Sequence, residues 1–325
     1  MIELFQALIG SRRCVGLGST VALAGALLVA GCGGGGGGGS PAAAGKNCSR
    51  TPGRSARAAR GSVPHFSHVI VVVFENKECV DVMGSTDAPT FKRLARRYAI
   101  LSSYYGVMHP SLPNYLALVS GSTQGVTSDD ADRTLGARNI ADTLAARGIS
   151  WKTYAEGLEA PGSTEDEGDR YVIRHDPLLY FRDVLSSRRR LARIVPYAQF
   201  QRDLAADRLP RFALVVPNLH DDMHDSSVGD GDRWLKGFLR PLLESAELEH
   251  GVVFIVFDEA DESDKVGGGG HTVALAVGPT VRPGSRVAAR MNHYSLLRTI
   301  EDGLGLERLA NSRSAQPITG IWRQS

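Results

Sequence analysis

The sequence predicts an α/β protein organised around a mainly parallel sheet. Three observations carry that expectation. Solid apolar runs rich in Val recur along the chain, at residues 68–74 (HVIVVVF), 212–216 (FALVV) and 252–257 (VVFIVF). These runs do not alternate apolar with polar, so they fit strands buried on both faces, as in a parallel sheet. Segments with helical spacing lie between them, which is the alternation of an α/β fold. Each of the three runs also leads into polar residues, and in open α/β sheets sites form beyond the carboxyl ends of the strands.

The elements follow in order. Residues 68–74 are the first strand. Helical spacing with Pro89 at the start predicts a helix over 89–99. A short helix over 113–120 has Pro113 in its first turn and Gly121 as its stop. Residues 139–147 read as a helix ended by Gly148, and 149–155 as a strand. A helix over 196–207 precedes the strand at 212–216, which Pro217 ends. A helix over 232–244, the strand at 252–257, a strand over 272–277 and a closing helix over 294–304 complete the reading. No internal repeat is visible.

The chain has 325 residues, of which 42% are hydrophobic and 22% charged. That apolar content excludes an intrinsically disordered protein. A core of this size needs no disulfide or metal simply to fold. The net charge of +2 gives little reason to expect nucleic acid as a partner. Residues 65–325 alone carry 30 basic against 34 acidic side chains, a net charge of −4. Affinity for an anionic substrate must therefore come from a local site rather than from the global field.

The first 64 residues differ from the rest. Arg12-Arg13 precedes an apolar stretch from Cys14 to Ala30, and small residues follow. This pattern reads as a secretory signal over 1–31, with a permanent anchor helix as the alternative. Val29-Ala30-Gly31-Cys32 resembles the bacterial lipobox, in which the Cys is acylated and becomes a membrane anchor at the cell envelope. Residues 32–64 read as a tether, with seven glycines from Gly33 to Gly39 and then five basic residues without an acidic one. Such an arm suits anionic lipid headgroups or plain solvation. Residues 65–325 form the catalytic domain in this division. Of four cysteines, Cys14 leaves with the signal and Cys32 carries lipid. Cys48 and Cys79 remain, either as a disulfide or as two free thiols.

The polar residues at the strand ends are the candidate site. The first strand leads into Glu75-Asn76 and the 252–257 strand into Asp258-Glu259. Four such oxygen donors brought together repel or stay unpaired without a cation, and oxygen-only donors favour Mg, Ca or Mn over Zn. The competing reading has them capping helices or facing solvent. Ser111 stands at the start of a helix, where free N–H groups favour an anion. It is a nucleophile candidate there, or simply an N-cap.

Longer motifs then resemble a known family. They are HVIVVVFEN (68–76), HPSLPNYLALVSG (109–121), ISWKTYAEG (149–157), RHDP (174–177), PNLHDDMHD (217–225), GDRWL (231–235), FDE (257–259) and NHYSLLRTIEDGLGL (292–306). In order and spacing they are similar to the bacterial phosphoesterase family of acid phosphatases and phospholipases C, within the alkaline-phosphatase-like superfamily. The likeness is strongest to secreted acid phosphatases described as phosphatidylinositol 3-phosphatases. The resemblance implies a three-layer α/β/α sandwich. It implies Ser111 as the phosphorylated nucleophile and Glu75, Asn76, Asp258 and Glu259 as ligands of a divalent metal. It also implies that His224 contacts the phosphate and acts in catalysis, that His175 lies beside the site, and that Asn114 binds a phosphate oxygen. His271 is a weaker metal candidate, and His293 a cap or a ligand. The loop 260–270 resembles a mobile flap.

The expected activity is therefore hydrolysis of phosphate monoesters through a phosphoserine, with a phosphoester or phospholipid headgroup as substrate. Phospholipase C-type diester cleavage and binding without turnover are the rivals. A sulfatase is excluded because Tyr115 stands where that motif requires Arg.

Overall fold

The computed structural model describes Cys48 and residues 61–130 and 132–323, all within the unit Gly38–Ser325. The signal over 1–31, the lipidation site Cys32 and nearly all of the tether lie outside the described residues. Among the described residues no helix is long and apolar enough to cross a membrane.

The strands are β1 (Val69–Phe74), β2 (Ala99–Leu101), β3 (Tyr104–Tyr105), β4 (Trp151–Ala155), β5 (Ile194–Pro196) and β6 (Phe212–Val216). They continue with β7 (Val252–Phe257), β8 (His271–Thr272), β9 (Ala274–Val277), β10 (Ser285–Val287) and β11 (Met291–Asn292). The helices are α1 (Cys79–Gly84), α2 (Pro89–Arg97), α3 (Ser111–Ser120), α4 (Ile140–Ala146), α5 (Arg182–Leu185), α6 (Arg188–Leu191), α7 (Ala198–Ala205), α8 (Val228–Glu244) and α9 (His293–Leu304).

Eight strands make one sheet in the order β10-β2-β9-β7-β1-β6-β4-β5. Every neighbouring pair is parallel except the two that involve β9. The mainly parallel sheet read from the apolar runs is the one found. Every residue of β1, β6 and β7 is buried, as strands covered on both faces require. A second sheet of three short strands has the order β11-β3-β8.

The register fixes where the site forms. Phe74 pairs with Phe257, and Val72 with Val215, so β1, β7 and β6 end at the same edge. Successive side chains leave a strand on opposite faces. Phe74 turns to one face, where its ring meets Phe91 of α2 and Trp234 of α8. Glu75 turns to the other, where it meets Ser111 and Tyr115 of α3. Helices on both faces make the three-layer sandwich.

Helix α3 carries Ser111 and is buried at all ten positions, because α9 and the short helical turns Ile173–His175 and Pro177–Tyr180 pack on it. Gly121 ends it in the left-handed region, at φ 73°, where a Cβ would overlap the Leu309 carbonyl. Helix α8 starts at Val228, four residues before the predicted start at Asp232. Ser227 and Asp230 form a capping box, which outweighs Gly229 and Gly231 in the first turns. The predicted strand 272–277 divides, with β9 in the large sheet and β8 in the small one.

Cys48 and Cys79 form a disulfide, so the tether is stapled to the first residue of α1. Closing a loop with a sequence separation of 31 stabilises by about 3–4 kcal/mol through the unfolded state. The double variant Cys48→Ser, Cys79→Ser is expected to lose roughly that amount, read as a lower denaturant midpoint. An unchanged midpoint would show that the staple contributes nothing to stability.

Candidate active site

Ser111 is the first residue of α3, behind Pro110 in an extended conformation. Its hydroxyl makes no cap to the helix. Ser111 Oγ instead lies 3.0 Å from Glu75 Oε2 and 3.4 Å from Glu259 Oε1. A hydroxyl carries one proton, so it donates to one of these carboxylates at a time. The cap alternative is thereby replaced by a serine held between two carboxylates.

Glu75 is the centre of the group. It is fully buried and accepts a hydrogen bond from Tyr115 as well as from Ser111. Burial, then Asp258 and Asp222, push its carboxyl well above the ordinary range. Burial likewise takes Asp258 up to about 7 and, with Asp258 beside it, Glu259 up to about 10. Asn76 sits at φ 53°, a left-handed conformation that asparagine tolerates, and its backbone N–H donates to Asp258 Oδ1 at 3.3 Å. The structure thus brings together all four residues predicted as metal ligands.

Two more donors join them. His175 Nε2 is 3.5 Å from Glu75 Oε1, and its Nδ1 is 3.5 Å from Asp222 Oδ2. Its ring stacks on Tyr115. Burial holds this imidazole well below its usual pKa, so it is neutral and keeps a lone pair for a cation. Glu75, His175 and Asp222 can each offer one ligand atom within 4.8 Å of the others. Asp222 went unassigned in the sequence. The run HDDMHD offered three aspartates, and which one turns inward depends on the loop. Here the Asp222 carbonyl accepts from Glu75 N at 2.9 Å, which draws that residue in.

Within this cluster the buried atoms Asn76 Oδ1, Asp258 Oδ2, Asp222 Oδ2 and His175 Nε2 have no hydrogen-bond partner among the described residues. Buried polar groups are normally satisfied. An oxygen-rich cluster with unpaired acceptors has the donor chemistry of a divalent cation site.

The other predicted residues surround this core. Asn114, one turn from Ser111, uses its amide to clamp the preceding loop. Its Oδ1 accepts from Val107 N at 2.8 Å, and its Nδ2 donates to Met108 O at 2.6 Å and Pro110 O at 3.1 Å. A third contact reaches Glu259 Oε2 at 3.3 Å. His224 Nδ1 is 2.6 Å from Asp225 Oδ1, and its ring lies 5.9 Å from that of His175. His109, unassigned in the sequence, has Nδ1 2.8 Å from Glu259 Oε2 and Nε2 3.0 Å from the Asp264 carbonyl. His293 lies between the Tyr104 hydroxyl at 2.9 Å and the Asp258 carbonyl at 2.5 Å, and so braces the backbone of a site residue. Burial lowers it to about 4. His271 instead meets the Ser102 carbonyl at 3.0 Å and the ring of Tyr105.

Within the loop 260–270, read as a mobile flap, the glycine run packs against the backbone of 106–108. Gly106 N donates to Gly270 O at 3.1 Å, and Gly269 N to Gly106 O at 3.2 Å. The backbones approach so closely that a Cβ at Gly106 or Gly269 would clash. The run is a packing requirement for the loop that leads to Ser111.

Residues 74–307, most of the chain, match the phosphoesterase family. The chain belongs to the phosphoesterase family. It is a phosphoric ester hydrolase. The phosphoesterase is 32% identical over 265 residues to a phosphatidylinositol-3-phosphatase of Mycobacterium tuberculosis, a match covering 81% of this chain and 85% of that protein. It is 29% identical over 257 residues to an acid phosphatase of Aspergillus fumigatus, covering 75% of this chain and 56% of that one. A probable acid phosphatase of Kluyveromyces lactis is 30% identical over 259 residues, with 75% and 59% covered. The phosphoesterase chain thus spans somewhat over half the length of these two fungal relatives. Among solved structures, an alkaline phosphatase superfamily protein from Vibrio parahaemolyticus superposes with a TM-score of 0.55 at 14% identity, over 79% of this chain and 71% of that one. Murine ectonucleotide pyrophosphatase/phosphodiesterase 5 superposes with a TM-score of 0.51 at 13% identity, over 75% and 96%. The fold is alkaline-phosphatase-like.

Proposed function

We propose that the chain is a metal-dependent phosphatase that hydrolyses phosphate monoesters through a phosphoserine at Ser111. The observation that carries this reading is Ser111 Oγ between two buried carboxylates, in a cluster with four unpaired buried acceptors. Glu75, Asn76, Asp258 and Glu259 would hold a divalent cation, with His175 and Asp222 completing the set on the other side of Glu75. The oxygen-rich donors suit Mg, Mn or Ca better than Zn. When bound, the cation supplies charge stabilisation for the serine alkoxide and for the phosphate oxygens.

The chain's own groups do the rest. Glu75 Oε2, 3.0 Å from Ser111 Oγ, orients the hydroxyl. Ser111 Oγ passes its proton to Glu75 Oε2 and forms a bond to phosphorus while the bond to the leaving oxygen breaks in line with it. His224, partly exposed and oriented by Asp225, would give a proton to the leaving oxygen. Asn114 would act mainly by fixing the loop 107–110, because its amide is committed there. Water then cleaves the phosphoserine.

An acid phosphatase with phosphoinositides among its substrates fits the relatives. Export through residues 1–31 and anchoring through lipid at Cys32 would place it at the bacterial envelope, tethered by 32–64 beside phospholipid headgroups. The test compares p-nitrophenyl phosphate with p-nitrophenyl phosphorylcholine, with and without EDTA. The expected result is faster monoester hydrolysis that EDTA abolishes. Faster diester cleavage would move the assignment to a phospholipase C-type activity. Turnover of neither substrate would overturn the catalytic reading.

A further inference from the structure

We propose that Arg174 is a catalytic residue whose guanidinium binds the non-bridging oxygens of the phosphoryl group transferred at Ser111. This rests on the phosphatase reading above and adds a residue to it.

Charge sets the problem. Glu75, Asp222, Asp258 and Glu259 crowd one side of Ser111. Asp129 adds a further carboxylate near Glu259, and its Oδ1 accepts from the backbone N–H of Leu112, the residue after Ser111, at 2.9 Å. A phosphate monoester brings up to two more negative charges into this carboxylate-lined space. A divalent cation balances part of that total, and a cationic side chain must balance more. Lys77 is committed, since its ammonium donates to the Met223 carbonyl at 2.7 Å.

Arg174 is placed differently. Its side chain is 23% exposed, yet its Nε is enclosed and has no hydrogen-bond partner. The nearest carboxylate oxygen, Asp129 Oδ2, is 3.8 Å from Nε, beyond hydrogen-bond range. Nη2 lies 3.5 Å from His224 Nε2, at the limit of a hydrogen bond. A planar fork of five donors is thus held by two long contacts and keeps most of its donors in reserve. The fork matches phosphate oxygens bidentately.

Its position ties it to the reacting serine from two directions. The next residue, His175, touches Glu75, which accepts the Ser111 hydroxyl. Asp129, the carboxylate that faces Arg174, binds Leu112 at the start of the same helix. His224 is a poorer phosphate ligand in this geometry. Its Nδ1 is turned to Asp225 at 2.6 Å, and its Nε2 lies 3.5 Å from the Arg174 guanidinium. Arg174 stays protonated throughout the transfer. The Ser111–phosphorus bond forms, the bond to the leaving oxygen breaks, and the guanidinium gives up no proton.

The test uses the purified metal-loaded protein, inorganic phosphate as probe in calorimetry, and p-nitrophenyl phosphate for turnover. Arg174→Gln is expected to raise the phosphate Kd about tenfold or more. It should lower kcat by on the order of 10²-fold, with metal affinity unchanged. A folded Arg174→Gln protein with a phosphate Kd within about twofold of wild type would overturn the assignment. Arg174→Lys keeps a point charge without the fork, and should lose part of both quantities. If Arg174→Gln does not fold, Arg174→Lys decides, and unchanged Kd and kcat in it overturn the proposal. Wild-type protein that hydrolyses no phosphoester would refute the phosphatase reading itself. Wild-type turnover with unaffected Arg174 variants would refute the Arg174 assignment alone.

Discussion

Ser111→Ala is expected to reduce kcat on p-nitrophenyl phosphate by roughly five orders of magnitude or more while divalent cation binding persists. The hydroxyl makes no helix cap, so the substitution removes no capping bond from α3. What it removes is the oxygen that would form the bond to phosphorus. Glu75 retains Tyr115 as a donor, and the predicted ligand set is untouched. Turnover would be followed by p-nitrophenol release and cation affinity by calorimetry. A variant with near-normal turnover would eliminate the phosphoserine mechanism. Loss of cation binding together with turnover would instead make Ser111 an essential ligand.

The second large effect concerns stability without metal. Free carboxyl groups titrate near 4. In the folded protein burial raises all four carboxyls of the cluster, with Asp258 near 7 and Glu259 near 10. The folded state therefore binds protons more tightly than the unfolded state. The stability these protons contribute is fully present below about pH 4. It is lost as pH rises through the folded-state values. A divalent cation replaces the protons and needs the carboxylates ionised. The difference in thermal midpoint between metal-loaded and EDTA-treated protein should thus widen from pH 5 to pH 8. At saturating metal the gap should reach roughly 5–10 °C, from about 2.7 kcal/mol of binding linkage at a hundredfold excess over Kd. A gap that is constant or narrows with pH would show that cation binding does not displace these protons, and no gap at any pH would show that the cluster holds no cation.

Much of this architecture was legible because the core strands are chemically plain. A six-residue run such as VVFIVF has few structural choices, and its end at Asp258 follows directly. Very short strands were not legible. β2, β3, β10 and β11 have two or three residues each, and pairing partners rather than period define them. Within the site, residues adjacent to long strands were visible: Glu75, Asn76, Asp258 and Glu259 extend β1 and β7. Residues on loops were visible only as types. Asp222, His109 and Arg174 stood inside quoted motifs, but their direction depends on backbone turns that no periodicity encodes. The glycine run 267–270 shows the converse error. Its composition suggests freedom, whereas the folded chain uses the missing side chains to let two backbones touch.

The disulfide has a mechanical consequence. Cys79 begins α1 three residues beyond Asn76, and Cys48 lies on the N-terminal side of the whole domain. The sulfur bridge is a far shorter covalent route into the fold than the intervening backbone. A pull on the N-terminal arm therefore arrives first at α1, next to the end of β1 that carries Glu75 and Asn76, and bypasses the segment leading into that strand. Tension applied ahead of Cys48 would be felt at the edge carrying Glu75 before it was felt by the core.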